Sequence, residues 1–272
     1  MIRPLGVRWT IGDVSPRGFE ALRLSIWGAW GLFGPEARYA VVVNGMAPDA
    51  AHARTGPVPD AVAWQTAGGL PDFLDNHLGG DMAEGVAWKF APLRLFPDRY
   101  ELSLDNDCIL WDLPVAMRAW LEEAEPRCLI AGDVTLAHGA FTAFTREEPR
   151  NAGIRGLPPG YDLGAALRSV LEAHPVPLAS ELDEQGLQVV ALDLDRPAHV
   201  VSTADVSICS PFWPKTPELG RVGAHFVGLN AHALPWTYYD RSATECVVEN
   251  WTRHRPELYR RVGLMEPALP DG

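Results

Sequence analysis

Lysine is almost absent from this chain of 272 residues: Lys89 and Lys215 are the only two, and arginine supplies the other basic side chains. The formal net charge is −12. Nucleic acids and anionic membranes both require positive patches on the protein that binds them, so this charge argues against either as the main partner. An anionic substrate would need help from a metal ion or from a few local cations.

Cysteine and long apolar runs are also scarce. The four cysteines are widely separated, with no C-x-x-C pair and no metal-ligand spacing. The longest apolar candidate, residues 22–33, is too short to cross a bilayer and carries Arg23. The first residues contain no uninterrupted apolar segment of the kind found in a signal peptide. We therefore expect a cytoplasmic protein without a transmembrane segment.

Strand and helix patterns alternate through the first half of the chain, which favours an α/β fold with a mostly parallel sheet covered by helices on both faces. The predicted strands are 7–11, 39–43, 61–65, 100–104, 128–131, 200–201, 206–209 and 223–227. The predicted helices are 17–33, 84–96, 114–124, 161–173, 182–192 and 241–262. The sequence predicts loops at 47–60 and 151–160, and 145–160 and 211–220 are the loops expected to move. One domain is expected over 1–272, with 241–262 as a terminal helical segment.

An acidic pair, Asp105 and Asp107, follows the predicted strand 100–104 directly. Two carboxylates one residue apart at the end of a buried strand are costly to desolvate unless a positive group lies between them. A divalent cation that also holds phosphate oxygens fits this position, because hard cations prefer oxygen ligands. Asp also favours helix caps and turns, which is the structural alternative for this pair.

A second acidic pair, Asp193 and Asp195, follows another apolar run. Haloacid-dehalogenase-type phosphatases also have an Asp-x-Asp after a strand, but on their first strand and followed by a small residue or threonine. Both pairs come late in this chain, and Arg196-Pro197 follows the second. We therefore interpret Asp193 and Asp195 as a solvated strand or turn end.

His225 lies within the apolar strand 223–227 and is followed by Gly228. A single histidine in an apolar run is most often a core residue hydrogen-bonded to backbone. Together with Asp105 and Asp107 it becomes a candidate third metal ligand, because ligands of α/β sheets bind beyond the carboxyl ends of the strands. Imidazole suits manganese better than magnesium, so this ligand set favours Mn²⁺ over Mg²⁺.

A set of short motifs in a fixed order supports this interpretation. They are Thr10-Ile11-Gly12-Asp13, Trp88-Lys89-Phe90, Asp105-Asn106-Asp107, Asn151-Ala152-Gly153, Glu184-Gln185-Gly186 and His225-Phe226-Val227-Gly228. In order and spacing the set resembles glycosyltransferases of the glycogenin and lipopolysaccharide-galactosyltransferase type, which have a GT-A fold. The resemblance spans roughly residues 8 to 236. It implies a Rossmann-like, mostly parallel mixed sheet flanked by helices.

The resemblance also implies a reaction: transfer of a hexose from a nucleotide-diphosphate sugar to a hydroxyl acceptor, with retention of the anomeric configuration. Asp105, Asp107 and His225 would hold Mn²⁺ or Mg²⁺, and Glu184 or Gln185 would lie near the anomeric carbon. The implied donor-binding residues are Thr10, Ile11, Gly12, Lys89, Asn106, Asn151, Gly153 and Gly228. The donor sugar, its base and the acceptor are not identified by these motifs.

Two departures from the family pattern keep alternatives open. The family usually has Lys-Pro-Trp soon after His-Phe-x-Gly, whereas Leu234 precedes Pro235-Trp236 here and they come several residues late. The missing lysine favours a non-catalytic sugar-nucleotide or carbohydrate binder on the same fold. Glu184 also stands where aspartate is expected, with Asp183 one step earlier. A nucleotidyltransferase is a further alternative, but residues 12–17 are too poor in glycine for its signature.

Overall fold

The computed structural model describes residues 3–79, 88–212 and 218–267. Within these ranges the largest sheet has seven strands in the order β3-β2-β1-β4-β7-β6-β8. The strands are β1 (Leu5–Ile11), β2 (Arg38–Val43), β3 (Val62–Thr66), β4 (Tyr100–Leu104), β6 (Leu129–Gly132), β7 (Arg150–Leu157) and β8 (His199–Val201). β7 runs antiparallel to β4 and β6, while the other neighbouring pairs are parallel. The predicted mostly parallel mixed sheet is confirmed.

A second sheet, of three strands, includes the segment that follows β4 along the chain. It consists of β5 (Cys108–Leu110), β9 (Val206–Ile208) and β10 (Gly223–His225), in the order β5-β10-β9. β10 is antiparallel to β5 and pairs His225 with Cys108. The backbone N–H of Phe226 also donates to the carbonyl of Asp107 at 2.9 Å. This sheet therefore brings a late histidine beside the acidic segment that follows β4.

Helices cover both faces of the large sheet. They are α1 (Pro16–Phe33), α2 (Pro48–Thr55), α3 (Asp72–Asp75), α4 (Val115–Glu122), α5 (Leu163–Ala173), α6 (Glu181–Leu192) and α7 (Ala243–Val262), and 3-10 turns span Trp88–Phe90 and Gly139–Phe144. A short hairpin of β11 (Thr237–Tyr238) and β12 (Arg241–Ser242) precedes α7. β6 shows the two faces: Leu129 and Ala131 join the core on the α1 side, while Cys128 and Ile130 join the core on the α5 and α6 side. This alternation is the period of two that a strand buried on both faces requires.

Helix α1 starts directly beyond the carboxyl end of β1. The Ser15 side chain caps it by accepting a hydrogen bond from the Gly18 N–H at 3.1 Å, and Pro16 occupies the first turn, where no N–H is needed. Further along α1, a Cβ on Gly28 would lie 2.1 Å from the Leu110 carbonyl oxygen. Glycine is therefore required where α1 crosses β5, and this close packing fixes the helix relative to the acidic segment.

Three sequence predictions are wrong in secondary structure. Part of the predicted 47–60 loop is helix α2. Pro48 and Asp49 lie in its first turn, where proline lacks no needed N–H and an acidic side chain favours the helix dipole. Most of the predicted loop at 151–160 is β7, whose glycines leave room for neighbouring side chains. The predicted helix 84–96 contains a single 3-10 turn, Trp88–Phe90, and residues 84–87 lie outside the described ranges.

The second acidic pair does not follow a strand. Asp193 ends helix α6, where its carboxylate accepts a hydrogen bond from the Ala198 N–H at 2.8 Å and lies 3.5 Å from Arg146. The apolar run before the pair is the last part of this helix, as the predicted helix 182–192 implies, and the pair lies at the turn that follows it, so the phosphatase-type motif is absent there. No helix within the described ranges combines the length and the apolar composition needed to cross a membrane.

Candidate metal and donor site

The carboxyl ends of the central strands meet at one edge of the sheet, and the acidic segment lies there. Asp105 follows β4, and its backbone N–H donates to the Gly153 carbonyl of β7 at 2.8 Å. The Cys108 N–H then donates back to the Asp105 carbonyl at 3.0 Å, which closes a tight turn. This turn holds the Asp105 and Asp107 side chains at the sheet edge where α/β folds bind ligands.

Asp105, Asp107 and His225 converge on a single point. Each offers one ligand atom, and these atoms all lie within 4.8 Å of one another. His225 Nε2 is 3.2 Å from Asp107 Oδ1 and 3.7 Å from Asp105 Oδ2. Asp107 and His225 are buried, while Asp105 is partly exposed. The three predicted metal ligands are therefore brought together from two segments that are distant in sequence, the turn after β4 and the strand β10.

The chemistry of this cluster fits a divalent cation. Asp107 Oδ1 is buried and accepts no hydrogen bond, a costly state for a carboxylate oxygen unless a positive group satisfies it. Burial lowers the pKa of His225, but Asp107 and Asp105 outweigh burial and raise it. Burial likewise raises the pKa of Asp105, but Lys89 and His225 outweigh it and hold that pKa low. Two carboxylates and one imidazole suit Mn²⁺ and accommodate Mg²⁺.

Gly153 makes room for the histidine. A Cβ at this position would lie 2.4 Å from His225 Cε1 and 2.7 Å from its Nδ1. Those distances are far below van der Waals contact, so any side chain at 153 would displace the imidazole. The family resemblance implies donor binding for Gly153; what the structure shows is that the absence of a side chain there makes room for His225.

Lys89 lies beside the same carboxylates. Its Nζ is 2.8 Å from Oδ1 and 3.0 Å from Oδ2 of Asp105. Burial lowers the pKa of Lys89, but Asp105, Glu184 and Asp107 outweigh burial and raise it. One of the two lysines of the chain is therefore a charged group at the acidic cluster.

Glu184, rather than Asp183, is the acidic residue of α6 that faces the cluster. Asp183 is used in capping: its carboxylate accepts hydrogen bonds from Ala140 N at 2.7 Å, and from Ala179 N and Ser180 Oγ at 2.9 Å each. Glu184 is 3% exposed and interacts electrostatically with Lys89 and Asp105. The capping contacts thus resolve which of the two neighbouring acidic residues is available to the site.

A buried polar chain supports Glu184 from behind. Gln188, one helical turn later, donates from Nε2 to Glu184 Oε1 and accepts at Oε1 from Arg155 Nη1, the latter at 2.6 Å. Burial is the largest influence on Glu184 and raises its pKa to about 7, with Asp105 adding to the rise and Lys89 opposing it. Glu184 is therefore a carboxyl group that changes charge near neutral pH.

The Gln185 and Asn151 amides are committed to contacts within the protein. Gln185 donates to the Ala137 carbonyl at 2.9 Å and accepts from the Ala152 N–H at 3.2 Å. Asn151 donates to Asp133 at 3.0 Å and accepts from the Gly153 N–H at 2.7 Å. Both side chains therefore hold the start of β7 in place at the edge of the site.

The remaining predicted residues are placed as follows. Asn106 is buried and turns away from the carboxylates toward α1, where its amide donates to the Gly18 carbonyl at 3.1 Å. Thr10 Oγ1 accepts from Arg8 at 3.2 Å, Ile11 is buried in the core, and Gly12 follows β1 at the sheet edge. Gly228 has a φ of +91°, so the chain reverses direction there in a conformation that favours glycine.

Three residues that the sequence analysis did not identify support the predicted site residues, two by direct hydrogen bonds and Arg155 through Gln188. Asn230 donates to Asp107 Oδ2 at 3.2 Å, while Gln188 and Arg155 support Glu184. Gln188 was detectable as the residue four positions after Glu184 on one helix face. The role of Arg155 could not be predicted because its strand was predicted as a loop. The sequence near Asn230 gave no indication of its contact with Asp107, apart from its position two residues after Gly228.

Leu234 is the residue that stands directly before Pro235-Trp236. Leu234 packs against the core cluster that contains Trp251, and its N–H donates to Thr244 Oγ1 at 2.8 Å. Two basic side chains instead gather at Asp13, beyond β1: Arg54 at 2.6 Å and His232 at 3.7 Å. One cationic group, Arg54, is therefore present near this edge, although none stands directly before Pro235-Trp236.

Comparisons with known proteins give the fold a context. No protein-family model and no curated protein matches the sequence. Among solved structures, the fold is similar to galactosyltransferase LgtC in complex with donor and acceptor sugar analogues, with a TM-score of 0.56, 14% identity and 97% of each chain covered. An active-site mutant of LgtC gives a TM-score of 0.51 and 13% identity over 94% of this chain and 99% of that one. At such identities the likeness shows the fold, and it confirms the predicted GT-A-type architecture and the resemblance to glycosyltransferases at that level.

Proposed function

We propose that the protein is a metal-dependent glycosyltransferase. It would transfer a hexose from a nucleotide-diphosphate sugar to a hydroxyl acceptor, with retention at the anomeric carbon. The observation that carries this proposal is the convergence of Asp105, Asp107 and His225 at the carboxyl edge of the sheet, with ligand atoms within 4.8 Å of one another. The fold that surrounds this cluster is similar to that of a galactosyltransferase, which supports the same reaction class.

Asp105, Asp107 and His225 would hold Mn²⁺, or Mg²⁺ in its place. The bound ion would supply a Lewis acid that neutralises the charge developing on the departing diphosphate. Lys89 would bring a second positive charge to the same leaving group, because its ammonium already lies 2.8 Å from Asp105. A fixed charge in a partly water-excluded site stabilises developing negative charge far more than it would in bulk water.

Glu184 and Gln185 would border the sugar. In the transfer, the bond between the anomeric carbon and the diphosphate oxygen breaks, a bond to the acceptor oxygen forms, and the acceptor hydroxyl loses its proton. A carboxyl group with a pKa of about 7 can exchange a proton at neutral pH, which suits Glu184 for contact with sugar hydroxyls or for this proton. Gln185, held between Ala137 and Ala152, would fix the wall of the pocket.

A thermal-shift screen of nucleoside diphosphates with and without Mn²⁺ tests the proposal. Ligand at a hundred times its dissociation constant should raise the free energy of unfolding by about 2.7 kcal/mol. We expect one nucleotide to stabilise the protein in a Mn²⁺-dependent manner, and Asp107→Ala to abolish the effect. Absence of a response to every nucleotide, with or without the metal, would contradict the proposal.

A second candidate function is a sugar-nucleotide or carbohydrate binder that does not catalyse transfer. The absence of a lysine directly before Pro235-Trp236, where the partly buried Leu234 stands, favours it. A glycosyltransferase and a sugar-nucleotide binder both predict nucleotide binding, so turnover separates these two. Slow Mn²⁺-dependent hydrolysis of the matching sugar nucleotide indicates an enzyme, whereas tight binding with no released sugar after prolonged incubation indicates a binder.

A further inference from the structure

Asn106 and Asn230 form a reciprocal amide pair beside the metal ligands. Asn106 Nδ2 donates to Asn230 Oδ1 at 2.6 Å, and Asn230 Nδ2 donates to Asn106 Oδ1 at 3.0 Å. The second proton of Asn230 Nδ2 is directed to Asp107 Oδ2, at 3.2 Å. The pair therefore links the acidic turn after β4 to the loop that follows β10.

The start of α1 holds this pair from the other side. Ser15 N donates to the Asn230 carbonyl at 2.9 Å, and Ser15 Oγ donates to the Leu229 carbonyl at 2.8 Å. The Gly18 carbonyl accepts the remaining proton of Asn106 Nδ2 at 3.1 Å. A Cβ on Gly18 would lie 2.6 Å from Asn230 Oδ1, so the fit around the pair is tight. Both amide groups thus have all their donors engaged within a partly buried junction of three segments.

The two oxygens of Asp107 have different surroundings because of this arrangement. Oδ2 accepts the Asn230 amide, whereas Oδ1 accepts no hydrogen bond and lies 3.2 Å from His225 Nε2. A carboxylate anchored through one oxygen cannot rotate freely, so its other oxygen stays directed at the point shared with Asp105 and His225. Groups that orient a metal ligand in this way raise the affinity of a site by reducing the disorder that binding must remove.

We propose that Asn230 is a positioning residue for the metal ligand Asp107, and that Asn106 acts through Asn230 as its support. The proposal rests on the proposed function in one respect, namely that Asp105, Asp107 and His225 bind a divalent cation. Asn106, the middle residue of the acidic motif, is coupled to a second asparagine 124 positions away.

Mn²⁺ affinity measured without any nucleotide tests this proposal. The variants are Asn230→Ala, Asn106→Ala and the double variant, titrated by electron paramagnetic resonance of free Mn²⁺ well below their melting temperatures. Loss of a group that orients a metal ligand typically weakens binding by 10- to 100-fold, and we expect about tenfold for Asn230→Ala. Asn106→Ala should cost less, and the double variant should match Asn230→Ala, because Asn106 acts only through its partner.

Leu167→Ala serves as the control for lost stability. Leu167 is fully buried in the core on the α5 and α6 side, so this variant should melt earlier and still bind Mn²⁺ like the wild type. If Asn230→Ala binds Mn²⁺ as tightly as the wild type, the positioning role is wrong and the proposed function stands. If the two single effects multiply in the double variant, the support role of Asn106 is wrong. A wild type that does not bind Mn²⁺ overturns the proposed function together with this inference.

Discussion

Lys89 Nζ lies 2.8 Å from Asp105 Oδ1 and 3.0 Å from Oδ2, so the ammonium group bridges both oxygens of a candidate metal ligand. In the metal-free protein this contact partly neutralises the acidic cluster. A cation that binds Asp105 must share that carboxylate with Lys89 or displace the ammonium group toward the donor diphosphate. Lys89 therefore opposes metal binding in the free protein and would favour binding of the leaving group in the complex.

Lys89→Met should consequently have opposite effects on two measurements. Without nucleotide, the variant should bind Mn²⁺ about fivefold more tightly, because removing a nearby positive charge is worth on the order of 1 kcal/mol. With the donor present, the Michaelis constant for the sugar nucleotide should rise, because a diphosphate contact is lost. Calorimetry and steady-state kinetics measure the two effects. Arg146→Met, which removes an exposed charge that pairs with Asp193, should change neither value, and weaker Mn²⁺ binding by Lys89→Met would contradict the account.

Gly153→Ala should damage the metal site through sterics alone. The added methyl group would lie 2.4 Å from His225 Cε1, so the imidazole must move. We expect Mn²⁺ binding to weaken by at least about tenfold, as for other changes that misorient a ligand. The matched control is Gly31→Ala in α1, where an added Cβ meets no atom within 4 Å. It should leave Mn²⁺ binding unchanged and stabilise the helix by up to about 1 kcal/mol.

The position of Gly153 beside His225 illustrates which features of the fold and site could be predicted from the sequence and which could not. The β-branched run in β2 and the acidic pair after β4 each carry a local signal, and both were located correctly. The strand β7 was predicted as a loop because its Asn and Gly residues have turn preferences. Those residues are present for tertiary reasons: Gly153 accommodates His225, and a Cβ on Gly156 would lie 2.7 Å from Trp120. Contacts such as Asn106 with Asn230 join positions 124 residues apart and leave no local signal.

Glu184 makes stability depend on pH in a defined direction. Burial raises its pKa from 4.5 to about 7, so the folded state holds a proton that the unfolded state releases above pH 4.5. Its contribution to the free energy of unfolding is therefore fully present below pH 4.5 and is lost as the pH rises to about 7. The loss amounts to roughly 3 kcal/mol.

Urea denaturation of the wild type and of Glu184→Gln, both in a chelator, measures this contribution. The difference in unfolding free energy between the two proteins should shift by that amount between pH 4.5 and 7, in favour of the variant at the higher pH. A difference that stays constant over this range would show that Glu184 is not held in a state that resists ionisation.

Gln188→Met tests the buried chain behind Glu184. The change removes the donor to Glu184 and the acceptor of Arg155, whose Nε and Nη2 already have no partner. We expect the free energy of unfolding to fall by about 1–3 kcal/mol, the usual cost of an unsatisfied buried group. The pKa of Glu184 should rise further, because Gln188 opposes the effect of burial. Gln65→Met, on the edge strand β3, should change stability by no more than about 0.5 kcal/mol.

The central claim, that Asp105, Asp107 and His225 form one cation site, is tested most directly by a Mn²⁺ titration followed by electron paramagnetic resonance. The account predicts one saturable Mn²⁺ per chain in the wild type and its loss in Asp107→Asn, which preserves the shape of the side chain and removes its charge. Wild-type protein without saturable binding, or an Asp107→Asn variant that binds Mn²⁺ as tightly as the wild type, would contradict it.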